Sequence, residues 1–395
     1  MSEFNFLSYK YENGVAEFRY QGKNAREFVE KVHFFDPGTD YDKEALDRAM
    51  ELALVILGTS YYKAEPTLEV KLPFVINKSQ AEFFDKIYQE GMSQFAYENG
   101  LKREGLAHFA FGDITEVAEN HKATDPGILV LLSGGKDSLL TAEKVRESGV
   151  SFKVCYITAQ QNYPAILDEF GNPIVIRREI DMEGLKQVGG LNGHVPVTLI
   201  NEALALIQVI LLGFNRVELG VGREGLEPHA SIGDLLVNHQ WAKTEEAQNL
   251  FKNYVREHVT SGVTVGSLLE NMNELQIAEE FANKCWAKYG DKFSSCNVAN
   301  YKQGENNRDL KWCSKCAKCA NSYLLFCPYV AFPEQEKIFH RDLFLDPEMT
   351  EIFKGLLGVD GVMKPFECVA SIEELRWAYH HRLPGYGELS FTVPE

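Results

Sequence analysis

The chain has 395 residues and a formal net charge of −17, because 57 aspartates and glutamates outnumber 40 lysines and arginines. A prior of about 150 residues per domain favours two or three domains, and 45% hydrophobic residues argue against extended disorder. The acidic excess disfavours a nucleic-acid partner, because such proteins gain affinity by neutralising phosphates with Lys and Arg. It is still compatible with a small anionic ligand in a local basic pocket.

The sequence shows neither an export signal nor a membrane span. The first residues have no basic or apolar signal region. The most apolar long stretch, residues 195–214, is interrupted by polar side chains and therefore predicts a buried helix. We expect a cytoplasmic protein without a membrane partner, while the oligomeric state stays open.

Residues 1–125 predict an α+β module. Alternating apolar residues on either side of Gly14 are typical of a half-buried hairpin, and residues 46–57 then follow helical spacing. A second helix is predicted to begin at Ser79, because Ser79 and Glu82 fit a capping box.

The pattern changes at about residue 126. Residues 128–132 form an unbroken apolar run, which is typical of a parallel strand covered on both faces. An alternation of strands and helices follows, and this predicts an α/β fold with a doubly wound parallel sheet. We assign residues 126–330, including a cysteine cluster, to this domain and residues 331–395 to a carboxy-terminal extension. The later elements are strands at 152–157, 174–180 and 217–221 and a helix at 199–212.

A polar loop follows the first of these strands and opens a helix. Its glycines let the backbone approach a ligand closely, and the N–H groups of a helix start favour phosphate. The spacing fits neither a Walker A loop nor a dinucleotide-binding loop, and a tight turn without a ligand is the structural alternative. The loop instead resembles the S-G-G-x-D-S loop of ATP pyrophosphatases, the PP-loop superfamily, whose members adenylate a substrate oxygen and release diphosphate. Its residues are Ser133, Gly134, Gly135, Lys136, Asp137 and Ser138.

Four cysteines have the spacing of metal ligands. Cys313, Cys316 and Cys319 are separated by two residues each, and Cys296 lies upstream. In a chain without an export signal this clustering favours a metal over disulfides. Four thiolates suit a structural Zn²⁺, with an iron–sulfur cluster or metal-free packing as alternatives.

Four further polar segments carry side chains that exchange protons or bind anions. The segment at 222–224 follows a predicted strand directly, and the one at 191–198 precedes the long helix, so both are expected at the crevice where such sheets bind ligands. For any single histidine, packing without a function is the common alternative. The remaining segments are residues 238–243 and 364–369.

These segments together resemble one family. Residues 191–198, 238–243, 313–319 and 364–369 are similar to segments of the UDP-N-acetylmuramoyl-L-alanyl-L-glutamate epimerases, called MurL, as are residues 60–64 and 95–100 in the amino-terminal module. The resemblance therefore covers most of the chain. Residues 220–236 depart from the family's pattern, and this bears on the substrate more than on the ATP chemistry.

The resemblance implies an epimerase that inverts the terminal L-Glu of UDP-MurNAc-L-Ala-L-Glu in peptidoglycan precursor synthesis. The reaction would pass through an acyl-adenylate and release AMP and diphosphate, with ATP, Mg²⁺ and a structural Zn²⁺ as the expected cofactors and small molecules as the only expected partners. The proton-transfer candidates, each tunable towards neutrality, are His194, His239, Glu224, Glu367 and Cys368. The expected substrate-binding residues are Asn192, Gly193, Arg223, Asn238, Gln240 and Lys243.

Two other functions stay open. One is another adenylating PP-loop enzyme, such as a 7-cyano-7-deazaguanine synthase-like ligase, since those enzymes carry a similar cysteine arrangement but would leave residues 1–120 unexplained. The other is a non-catalytic nucleotide-binding regulator. Because ATP and a UDP-linked peptide are polyanions, the net charge of −17 also predicts that binding depends strongly on Mg²⁺.

Overall fold

The computed structural model describes residues 3–38, 40–113, 126–225, 227–301 and 308–395. Its strands are β1 Phe4–Glu12, β2 Val15–Gln21, β3 Glu27–His33, β4 Val70–Lys71, β5 Ile128–Leu131, β6 Phe152–Thr158, β7 Ile174–Glu179, β8 Arg216–Leu219, β9 Ala230–Ile232, β10 Leu235–Val237 and β11 Thr264–Ser267. Its helices are α1 Lys43–Tyr62, α2 Lys78–Gln89, α3 Ser93–Glu98, α4 Lys136–Ser148, α5 Met182–Val188, α6 Val197–Leu211, α7 Glu245–Tyr254, α8 Glu274–Lys284, α9 Trp286–Tyr289, α10 Asn297–Tyr301, α11 Ala317–Phe326, α12 Phe332–Phe339, α13 Thr350–Leu357 and α14 Ile372–His380.

One large sheet runs through the described chain, in the order β11-β8-β5-β6-β7-β3-β2-β1-β4. Strands β11, β8, β5, β6 and β7 are parallel to one another. Along the chain, β5, β6 and β7 extend the sheet in one direction, and β8 then returns to the other side of β5. The strand order therefore reverses between β5 and β8, and α/β sheets bind ligands at such a point, outside the carboxyl ends of the strands.

Helices cover both faces of this sheet, because side chains of each strand point alternately to opposite faces. In β5, Leu129 joins a core built with α1, α2, α6 and α7, whereas Val130 joins a second core built with α4, α8, α11, α13 and α14. Both residues are fully buried. Burial on both faces explains the unbroken apolar run in the sequence.

The amino-terminal strands continue the same sheet. Strand β3 pairs with β7 in the antiparallel direction, and Glu30 of β3 receives a 2.7 Å hydrogen bond from Arg178 of β7. Helix α1 lies on the sheet face that α6 also covers. Residues before 114 therefore contribute to the core on one face of the parallel strands.

The predicted α/β class with a large, mostly parallel sheet is confirmed, as are the strands predicted near residues 128, 152, 174 and 217. The predicted N-cap of the second amino-terminal helix, Ser79, was wrong by two residues. Asn77 is the N-cap, and it forms a capping box with Gln80, whereas the prediction paired Ser79 with Glu82. The division into residues 1–125, 126–330 and 331–395 stays a prediction. Among the described residues, no helix is long and apolar enough to cross a membrane.

Candidate active site

The loop between β5 and α4 presents backbone and hydroxyl groups at the carboxyl edge of the sheet. Gly134 has a φ of +90°, a conformation that favours glycine, and Gly135 is the N-cap of α4. The Ser133 backbone N–H donates to Ser138 Oγ at 3.2 Å, and Ser138 Oγ donates to the Gly135 carbonyl at 3.1 Å. The first N–H groups of α4 have no acceptor within the helix, so this end favours an anion.

A cavity of about 580 Å³ opens beside this loop, at the reversal point of the strand order. Its volume is within the range of small-molecule sites. Gly220, at the end of β8, also lines it, and a Cβ on Gly220 would lie 2.7 Å from the Ser138 backbone nitrogen. The lining includes Ser133, Gly135, Asp137 and Ser138 from the loop, Thr198 and Asn201 from α6, and Lys243, Asn297 and Lys318.

Lys136 turns away from this cavity. Its buried Nζ contacts Asp137 and lies 2.7 Å from Glu274 Oε2 at the start of α8. Burial favours the neutral form of Lys136, but Asp137 and Glu274 outweigh it and raise the pKa of the ammonium group. Burial also raises the pKa of Glu274, and Lys136 opposes that shift. The lysine keeps its proton and holds Asp137 at the edge of the cavity.

A smaller chamber of about 50 Å³ adjoins the main cavity and shares Asp137, Lys243 and Lys318 with it. Lys243 Nζ lies 2.7 Å from Glu224 Oε2; the Glu224 side chain is buried and the Lys243 side chain is partly buried. Burial raises the pKa of Glu224, while Lys243 opposes the shift. Cys368 also lines this chamber. Three of the predicted residues, Glu224, Lys243 and Cys368, therefore lie together.

Two predicted histidines form a partly buried pair. The rings of His194 and His239 have centroids 4.3 Å apart. Burial, with the nearby charges of His239 and Lys63, lowers the pKa of His194 to about 3. Burial also lowers the pKa of His239 to about 4, against the opposing effect of the Glu367 carboxylate. Both rings are therefore neutral at physiological pH.

The amino-terminal helix α3 fixes the tautomer of His239. Gln94 Nε2 donates to Glu98 Oε1 at 2.7 Å, so the Gln94 amide oxygen points to His239 Nδ1, 2.6 Å away. Nδ1 then carries the proton, and Nε2 is left as the basic nitrogen. The carboxylate of the fifth candidate, Glu367, accepts a hydrogen bond of 3.3 Å from Asn297, a cavity residue.

The four predicted cysteines converge. All four sulfur atoms lie within 4.8 Å of one another, and the Cys296–Cys316, Cys313–Cys319 and Cys316–Cys319 pairs are 3.7, 3.7 and 3.5 Å apart. Tetrahedral Zn²⁺ with Zn–S bonds of about 2.3 Å would separate its sulfurs by about 3.8 Å. The donor set therefore fits a metal ion of the Zn²⁺ type.

The remaining predicted substrate residues lie outside the cavity lining. Asn192 and Arg223 are exposed, and Gly193 packs against Phe95 of α3. Asn238 Nδ2 donates to the Gly225 carbonyl at 2.7 Å, and Gln240 Nε2 donates to the Val369 carbonyl at 2.9 Å. These amides tie segments of the chain together, and a substrate-binding role for them stays a prediction.

Some residues of the site were missed by sequence reasoning. Glu274 contacts Lys136, and Gln94 contacts His239. Each of these partners comes from a distant part of the chain, and no local sequence pattern marks it. Lys318 had a usable signal, since it lies between Cys316 and Cys319 of the recognised cysteine cluster.

The sequence of this chain is similar to those of one known family. The MurL N-terminal domain matches residues 1–268, and the MurL C-terminal domain matches residues 292–383. A protein of Salinispora tropica, named UDP-N-acetyl-alpha-D-muramoyl-L-alanyl-L-glutamate epimerase, is 32% identical over 388 residues, which cover 95% of this chain and 83% of that protein. A protein of the same name from Xanthomonas oryzae pv. oryzae is 31% identical over 376 residues, covering 93% of this chain and 82% of its own length. This chain therefore belongs to the MurL family.

Proposed function

We propose that the protein is an ATP-dependent epimerase that converts the terminal L-Glu of UDP-MurNAc-L-Ala-L-Glu to D-Glu for peptidoglycan synthesis. The observation that carries the proposal is the loop of residues 133–138, which lines a cavity at the reversal point of the sheet. The loop's resemblance to PP-loop ATP pyrophosphatases supports ATP as the cosubstrate. The names of the relatives support the dipeptide substrate and the epimerisation.

The chemistry explains why ATP is needed. Removing the α-proton beside a free carboxylate would place a second negative charge next to the first. In the proposed reaction, a substrate carboxylate oxygen attacks the α-phosphorus of ATP, the bond to diphosphate breaks, and an acyl-adenylate forms. A base then removes the α-proton, an acid returns a proton to the opposite face, and water attacks the acyl carbon to release AMP and the D-glutamyl carboxylate.

The loop residues would bind the phosphates of ATP. Ser133, Gly135 and Ser138 line the cavity and supply hydroxyl and backbone donors, while Gly134 supplies the turn and Lys136 holds Asp137 in place. Mg²⁺, when bound, would offset the negative charge that develops on the phosphates. Zn²⁺ at the four cysteines would be structural.

Among the five proton-transfer candidates, we favour His239 as a base and Cys368 as a proton donor. His239 presents Nε2 as its basic nitrogen, because Gln94 binds the Nδ1 proton. Cys368 faces the small chamber next to Lys243, whose charge would stabilise a thiolate after proton transfer. His194, Glu224 and Glu367 would then tune the electrostatics of the site.

The test is direct. The purified protein is incubated with ATP, Mg²⁺ and UDP-MurNAc-L-Ala-L-Glu, and the glutamate released by hydrolysis is analysed on a chiral column. We expect D-Glu and diphosphate to accumulate together. Asp137→Ala should abolish both products, whereas Asp291→Ala, a change at an exposed turn residue, should not.

The outcomes separate the three functions. Finding only L-Glu while another acid stimulates AMP formation would favour a different adenylating enzyme. ATP binding without diphosphate release for any acid would favour a regulator. Unchanged diphosphate release in Asp137→Ala would exclude the proposed role of the loop.

A further inference from the structure

The four-cysteine site reaches the ATP loop through two short segments. The first arm is residues 294–300, which contain Cys296, and the second arm is residues 308–313, which end at Cys313. Residues of both arms line the same cavity wall as the loop. The positions of the cysteines and of the loop glycines are therefore set by the same packing.

The first arm contacts both loop glycines. The Ser294 backbone N–H donates to the Gly134 carbonyl at 3.2 Å. A Cβ on Gly135 would lie 2.8 Å from Ser295 Oγ, which is closer than real Cβ contacts come. The absence of a side chain at Gly135 thus lets Ser295 of the first arm lie close to the start of α4.

The second arm packs against Gly134. A Cβ on this residue would overlap Leu310 Cδ1 and would also approach Ile166 Cγ2 at 3.1 Å. Gly134 is therefore contacted by both arms, and Gly135 is contacted by the first.

The two arms are bonded to each other. Ser294 Oγ donates to the Lys311 carbonyl at 2.7 Å, and the Lys311 N–H donates to Asn300 Oδ1 at 2.9 Å. The thiol of Cys296 then meets those of Cys313, Cys316 and Cys319 within 4.8 Å. A metal ion held by these sulfurs would close the remaining link between the arms.

We propose that metal binding at the four cysteines and nucleotide binding at the loop are energetically coupled through Ser294, Ser295 and Leu310. The inference rests on the proposed binding of ATP at the loop. Metal at the thiols holds the arms together and so keeps Gly134 and Gly135 in the shape that accepts phosphate. Because such coupling is reciprocal, bound nucleotide must in turn retain the metal.

The test measures zinc release to a chromogenic chelator, with and without the Mg²⁺ complex of α,β-methylene-ATP, whose α–β bond cannot be cleaved. We expect the nucleotide to slow zinc release several-fold in the wild type. Gly135→Ala should speed release, because the new Cβ displaces Ser295. The double variant Gly135→Ala/Ser295→Ala should return towards the wild-type rate, since the contacts left to the new methyl group, Ser295 Cβ at 3.8 Å and Ser133 Oγ at 3.9 Å, are ordinary ones.

The control is Gly105→Ala, because a Cβ there meets nothing within 4 Å. A simple steric block of phosphate by Gly135→Ala would weaken nucleotide binding without changing zinc release in the absence of nucleotide. Calorimetry that shows nucleotide binding to the wild type while zinc release stays unchanged would overturn the coupling alone. Absence of nucleotide binding would overturn both the coupling and the proposed ATP site, and a folded protein that retains no zinc would also overturn the coupling.

Discussion

The partly buried His194–His239 pair shows how one side chain acquires a defined chemical state from its neighbours. Burial removes the water that would stabilise an imidazolium, and each ring lies close to other positive or ionisable groups. Gln94 then selects which nitrogen of His239 carries the proton. The ring is neutral near pH 7, so Nε2 can accept a proton there, but the lowered pKa makes it a weaker base than an exposed imidazole.

The same pair predicts a pH dependence of stability. The ordinary histidine pKa of 6.5 falls to about 3 for His194 and about 4 for His239. As the pH falls below 6.5, the unfolded chain therefore binds protons that the folded chain excludes, and the free energy of unfolding decreases. Between about pH 7.5 and about pH 5 we expect a loss of about 1–2 kcal/mol for each imidazole.

Urea unfolding at these two pH values checks this expectation. The double variant His194→Gln/His239→Gln should lose less stability on acidification than the wild type. His380→Gln, which changes an exposed ring, should behave like the wild type. An unchanged pH slope in the double variant would contradict the prediction.

At the scale of elements, the start of α2 shows how a local signal can be assigned to the wrong residue. Asn77 and Ser79 are both residues that favour helix starts. In the structure, Asn77 Oδ1 accepts the Gln80 N–H at 3.0 Å, and Gln80 Oε1 accepts the Asn77 N–H at 3.0 Å. Gln80 lies three residues after Asn77, so the pair satisfies two backbone donors that the helix cannot.

We therefore expect Asn77→Ala to destabilise the protein by about 1 kcal/mol, as the loss of an N-cap commonly does. Ser79→Ala should have a smaller effect, because its exposed hydroxyl satisfies no backbone donor among the described contacts. Thermal denaturation of the two variants compares the two positions directly. A larger loss of Tm for Ser79→Ala would show that the helix begins where the sequence pattern alone suggested.

At the scale of the molecule, the net charge of −17 opposes polyanionic ligands. Lys243 and Lys318 line the cavity, but Lys243 is paired with Glu224. The positive charge of the cavity lysines is therefore partly compensated by Glu224, and the long-range field of the protein repels anionic ligands. Salt should screen this field over distances greater than about 8–10 Å.

This predicts an unusual salt dependence of nucleotide association. The association rate of a fluorescent ATP analogue with Mg²⁺ should rise by a factor of about two between roughly 20 mM and roughly 150 mM NaCl. A neutral adenosine analogue serves as the control and should show little change. Stopped-flow fluorescence gives both rates, and a rate that falls with salt would show that local cations dominate the encounter.

Much of the architecture could be predicted because its signals are local. The apolar run of β5, the glycines of its loop and the spacing of Cys313, Cys316 and Cys319 each lie within a few residues of sequence. The partners of these features could not be predicted in the same way. Glu274 follows Lys136 by 138 residues, and Gln94 precedes His239 by 145, so their contacts depend on how the whole sheet is assembled.

The pairing of β3 with β7 also has a consequence for how the chain folds during its synthesis. Strands β1 to β3 leave the ribosome first, but the partner of β3 follows only at residues 174–179. At about 5–20 residues per second, this leaves the edge of β3 unpaired for roughly 7 to 30 seconds. An open strand edge is a template for aggregation, and charged side chains on it act against this. The charges of Glu30 and Lys31 would thus protect the nascent chain from aggregation until β7 has been synthesised. Arg178 of β7 then forms a buried ion pair with Glu30.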